Sequence, residues 1–170
     1  MTNLAEAITD SIVAFFRDSI PKELIIFIIS LLPVLEIRGG MIAAKILGVQ
    51  LWKAFIISYI GNLLPIPFIL LFIRKIFRFL RRFEKWNKII DKLEAHSDKK
   101  KETVLKYKRL GLLILVAIPL PGTGGWTGAL VAALMDIRMK SSLPIIAAGI
   151  LIAGLIMAAL SYGLLGAVMG

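Results

Sequence analysis

Uncharged apolar runs alternate along this chain with short polar breaks, and the rhythm predicts paired helical elements. Residues 24–35 carry no charge and residues 41–52 carry only Lys45; between them stands Glu36-Ile37-Arg38-Gly39-Gly40, just after Leu32-Pro33. Three further runs, residues 54–73, 110–135 and 143–170, are free of charge. At about 1.5 Å per residue each is long enough to cross a hydrocarbon core of about 30 Å. Residues 24–52 read either as one kinked span with Glu36 and Arg38 near its middle, or as two arms that enter and return on the same side. Each arm is then about 18 Å long, half a bilayer, and the turn falls around residues 36–40.

Residues 1–20 place Leu4, Ile8, Ile12, Phe15 and Phe16 at helical spacing among Glu6, Asp10, Arg17 and Asp18, the pattern of an amphipathic helix lying in the membrane interface, ended by Pro21. Glu6 and Asp10 stand where a leader peptide carries basic residues, so no leader is expected. In the run 54–73, Gly61-Asn62 and Pro65-Ile66-Pro67 interrupt the helical pattern, and the prolines each remove a helix hydrogen bond. Residues 74–109 hold fourteen Lys or Arg against five Asp or Glu and belong on the cytoplasmic side. Phe72, Ile76, Phe79, Phe83, Trp86, Ile90 and Leu93 form a seam there, for a partner subunit or a membrane surface.

The second half repeats the first. Residues 110–135 are an apolar arm, a break and a second arm, the break reading Pro119-Leu120-Pro121-Gly122-Thr123-Gly124-Gly125-Trp126-Thr127-Gly128. A polar loop, 136–142, and a long span, 143–169, follow. Pro33 and Gly39 fall at the same offset as Pro119 and Gly125. The expected fold is therefore an all-α integral membrane protein of two inverted repeats, each a re-entrant helical hairpin plus a transmembrane helix (24–52 with 54–73, and 110–135 with 143–169), separated by a basic cytoplasmic helical insert. Broken segments of such repeats meet near the midplane. Four ordinary spans are the alternative. The hairpins are favoured because Pro and Gly lie at the centre of both candidate segments; they put Arg138 in the cytoplasm and both termini outside.

Composition narrows the chemistry. The chain is 58% hydrophobic over 170 residues with a net charge of +10, but the cations flank membrane segments, so membrane topology and not nucleic acid accounts for them. With no cysteine and one histidine, His96, in a charged stretch, no Cys/His metal cluster, thiol chemistry or cofactor site is expected. No nucleophile–base pair stands out, so catalysis is not expected.

Charged residues inside a membrane are functional candidates by default. Glu36 and Arg38 either neutralise each other as a buried pair, or Glu36 exchanges a proton while Arg38 holds an anionic group. Asn62 offers a polar contact inside the bundle. The second break has no ionisable residue; its glycines Gly122, Gly124 and Gly125, with Gly39 and Gly40 in the first, supply backbone turns. The hydroxyls of Thr123 and Thr127 and the start of the arm near Trp126 can receive negative charge. Trp126 is expected to line a cavity.

The motifs Leu-Pro…Glu36-Ile-Arg-Gly-Gly, Gly61-Asn62 and Ile118-Pro-Leu-Pro-Gly-Thr-Gly-Gly-Trp-Thr-Gly128 resemble the small multidrug export membrane proteins, over roughly residues 32–149, which implies an export role. More distantly, the paired hairpins and spans resemble DedA-type proteins, which implies proton-dependent lipid translocation; those carry arginines around the second turn, where this chain has Ala117, Ile118, Thr123 and Gly124. The expected function is proton-coupled export of a small amphipathic or cationic solute, with Glu36 as the coupling carboxylate. A lipid translocase (phospholipid or polyprenyl-phosphate type) using Arg38 and the glycine-rich turn is the runner-up, and a non-transporting assembly factor the third. Expected surroundings are a prokaryotic cytoplasmic membrane, its lipid, and a second copy in a homodimer or higher oligomer.

Overall fold

The structure is a computed structural model that describes residues 4–16, 20–80, 101–120, 122–135 and 137–164. Eight α-helices are found among these: α1 (Leu4–Phe16), α2 (Lys22–Leu31), α3 (Glu36–Ile46), α4 (Leu51–Leu63), α5 (Pro65–Leu80), α6 (Lys101–Ala117), α7 (Gly125–Leu134) and α8 (Met139–Ala158), the last continued by a π-helical turn, Ala159–Leu164. Most of the predicted seam, and the tail beyond residue 164, lie outside the described residues.

Helices α2 and α3 form a tight hairpin. Ile29 lies against Gly39 and Ser30 against Gly40, while at the open end the Lys22 ammonium donates to Leu47 O (2.9 Å). These pairings fix an antiparallel arrangement in which the chain comes back to where it started. The turn differs from the expected one: it occupies residues 32–35, and Glu36 opens α3. Pro33 accounts for this, since its ring disfavours helix at the residue before it and cannot continue a helix. Gly39 and Gly40, expected in the turn, lie inside α3. Their lack of a side chain brings three helices together, because a Cβ on Gly40 would strike the hydroxyls of both Ser30 and Ser58.

Helices α6 and α7 form the second hairpin. Gly128 packs against Val116 and Leu112, and α7 begins at Gly125. Helix α6 starts within the basic segment and runs unbroken into the apolar arm, so the boundary expected near residue 109 is not a structural break.

Among the described residues two helices are long and apolar enough to cross a membrane: Leu51–Phe72, comprising α4 and the start of α5 with Leu64 in helical conformation, and Met139–Gly163, with mean hydropathies of 2.0 and 2.6. The second begins four residues before the expected position, with Pro144 inside it. These helices run antiparallel, since Phe55 meets Gly154 and Tyr59 donates its hydroxyl proton to Ala147 O (3.3 Å).

Helix α8 serves as a ruler for the whole arrangement. Near its start, Arg109 at the open end of the second hairpin reaches Ser141. At its far end Tyr162 donates to Val49 O (2.7 Å) and its ring lies under the Lys45 ammonium (5.5 Å), both at the open end of the first hairpin. From Ser141 to Tyr162 is about 32 Å of helix. Midway, Gly149 packs on Val116 and Gly154 on Ile37. The hairpins thus open at opposite ends of α8, and their closed ends meet beside its middle. Helix α1 docks on the first hairpin by burying Thr9 and Val13, and leaves Phe15 exposed.

Candidate functional site at the meeting of two hairpin turns

The functional candidates gather where the closed ends touch. Glu36 is 2% exposed, and its carboxylate crosses to the first turn of α7: the Gly125 N–H donates to Oε2 (2.9 Å) and the Trp126 N–H to Oε1 (3.2 Å). The first amides of a helix lack intrahelical acceptors and carry the positive end of its dipole, so a carboxylate placed there satisfies both needs. No side chain within α7 does this; its capping position is Gly124. Arg38, in the first turn of α3, donates from Nη2 to Thr123 O (2.6 Å) and from Nη1 to Leu120 O.

The backbone is held in unusual conformations at this junction. Val34 and Glu36 have positive φ (75° and 49°), each costing about 1–2 kcal/mol for a residue with a side chain. Gly124, at φ 130° and ψ −164°, occupies a region open essentially to glycine alone. A Cβ there would also overlap the Glu36 carboxylate.

The threonine hydroxyls bond within the second turn. Thr123 Oγ1 lies 2.7 Å from Ile118 O and 2.8 Å from Leu120 O and accepts from the Leu120 N–H (3.1 Å), while Thr127 donates to Gly122 O (3.0 Å). Gly122 also has positive φ (83°). Together they shape the loop that offers its carbonyls to Arg38.

Asn62, on α4, is fully buried beside the Glu36 carboxylate but short of hydrogen-bond geometry, and among the described residues both its amide atoms are without partners, as is Trp126 Nε1. A side chain at Gly125 would meet Asn62 Oδ1, Ile66 and Ile150 within 3.0–3.3 Å, so the glycine lets α7 close onto both long helices. A cavity of about 10 Å³, lined by Glu36, Arg38, Asn62, Thr123, Gly124 and Gly125 among others, lies at the centre. That is roughly the room one water needs. The sequence had signalled Glu36, Arg38, Asn62, Thr123, Gly124 and Gly125, but not Val34 or the apolar residues around them. It had not signalled that the partners of Glu36 and Arg38 are main-chain groups 82–90 residues away.

Residues 36–156, beginning at this glutamate, match the family described as "Putative small multi-drug export protein". The chain belongs to that family. No curated protein and no solved structure matched. Family and apolar helices together make this a membrane protein of an export-type family. Among the described residues no cluster of three or more His, Cys, Asp or Glu is placed to hold a metal ion.

Proposed function

We propose that the protein exports a small amphipathic or cationic solute in exchange for protons, with Glu36 as the coupling group and the contact between the two hairpin turns as its gate. The observation that carries this reading is the buried Glu36 carboxylate bridging to the free amides of α7. Charged, it accepts from Gly125 and Trp126; protonated, it loses acceptor capacity and gains a donor that faces two other donors. Proton binding therefore weakens the joint between the two halves at the level where a pathway would be closed. The unpartnered Asn62 amide and the small polar cavity beside the carboxylate give a proton or a solute's polar group a place to pause.

The membrane arrangement proposed with it is the inverted repeat. Hairpins opening at opposite ends of a helix of bilayer length, with closed ends meeting beside its middle, support re-entry from the two faces. They support it over four ordinary spans, which would set Arg109 and Ser141 on opposite faces of the bilayer; here they touch. The lipid-translocating alternative asks Arg38 to hold a head-group phosphate. Its hydrogen bonds to Leu120 and Thr123 favour a latching role instead.

The test is Glu36→Gln in reconstituted liposomes. In the same pose glutamine sets an NH2 donor where one accepting oxygen stood, facing one of the two N–H groups, so stability should fall by about 1–3 kcal/mol, and proton-driven flux should disappear because no proton is exchanged. Were Glu36 structural only, flux per folded molecule would survive and only the amount of folded protein would drop. A stable, fully coupled Glu36→Gln protein would defeat the proposal.

A further inference from the structure

Away from the latch, at the open end of the second hairpin, a groove of about 500 Å³ runs between α6 and the first turns of α8. Its walls are Leu110, Leu113, Pro144 and Ile145, with Arg109 and Ser141 at one end. The Arg109 guanidinium is exposed and Nη2 lies 3.5 Å from Ser141 Oγ. Two more exposed cations, Arg138 and Lys140, sit in the same stretch of chain. The groove is thus amphipathic along its length, with basic and hydroxyl groups where the chain leaves its polar segment and bare hydrocarbon walls beyond.

We infer that this groove is a binding site for an anionic phospholipid, its phosphate held by Arg109 and the Ser141 hydroxyl and one acyl chain lying against Leu110, Leu113, Pro144 and Ile145. The charge pattern selects this occupant. A guanidinium presents a planar fork matched to phosphate oxygens, and the exposed Arg138 and Lys140, close along the chain to Ser141, add positive charge that disfavours a head group carrying its own ammonium. Free phosphate would meet the arginine but leave the apolar walls uncovered. The distance fits as well: from Arg109 to Leu113 is about 6 Å along α6, so the walls take the first part of an acyl chain while the guanidinium stays at head-group depth.

Native mass spectrometry of the whole protein, released from mild detergent containing phosphatidylglycerol or phosphatidylcholine, tests it. Phosphatidylglycerol should be retained about tenfold more tightly, and Arg109→Gln should lower its retention about tenfold while leaving phosphatidylcholine unchanged. Leu113→Trp, which fills the apolar wall and leaves the arginine in place, should displace the same lipid. Excess inorganic phosphate should not. Equal retention of both lipids by the unaltered protein, full retention by Arg109→Gln, displacement by phosphate, or a dimer carrying no lipid would overturn the inference.

Discussion

Gly124 is required twice, once for its backbone angles and once for the space its missing side chain leaves to the Glu36 carboxylate. Gly124→Ala should therefore lose more than the roughly 1–3 kcal/mol of a strained backbone, because the carboxylate is also pushed off the amides of Gly125 and Trp126. Thermal unfolding in detergent checks this, and adding Glu36→Ala should recover part of the stability but none of the coupled flux. At this scale the sequence pointed to residues that meet at the joint and was silent about their partners. A carboxylate in apolar sequence announces itself, and so does a run of glycines. An acceptor made of backbone amides leaves no side-chain signature, so Glu36 was legible as a buried pair with Arg38, whereas the hydrogen bonds of both run to the opposite turn. The hydroxyls of Thr123 and Thr127 were legible as polar groups in a turn, but their use in shaping it depends on loop geometry.

Among the elements, the helical pairs were readable from proline and glycine at the centre of apolar runs, and the first turn was misplaced for a physical reason. Glycine both permits turns and permits close helix approach, and sequence alone does not separate the two. In the first hairpin Gly39 and Gly40 pack α3 against α2 and α4, leaving the turn to Pro33 and its neighbours; in the second, Gly122 and Gly124 do form the turn. The hairpin reading makes a firm topological prediction. In this cysteine-free chain, Arg138→Cys should resist an impermeant thiol reagent added outside intact cells and react once the membrane is opened. Labelling from outside would mean that residues 110–135 cross the membrane once, as one of four ordinary spans, and would remove the inverted repeat.

For the whole molecule, apolar faces remain uncovered. Ile56, Ile60, Leu64, Phe68 and Phe72 form an exposed stripe along α4 and α5, and Leu151, Ile152 and Leu155 face outward on α8. Gly149 and Gly154 of α8 do not add to that surface, because they are used inside the chain against Val116, Ile37 and Phe55. A 170-residue chain has little interior with which to enclose a pathway, and we expect at least a homodimer, joined through the exposed stripe or the basic segment. Mass measurement in nanodiscs should show two copies; a fully active monomer would exclude it.

The joint between the halves also has a consequence for how such a molecule can be assembled from parts. The first half brings a carboxylate and a guanidinium; the second brings bare main chain shaped by glycine to receive them. They fit as plug and socket, not as mirror images. A chain made of two first halves would bring two carboxylates and two guanidiniums to one joint without the glycine-shaped turn that receives them here, and one made of two second halves would confront one empty socket with another. The two halves can share a fold, but neither can stand in for the other.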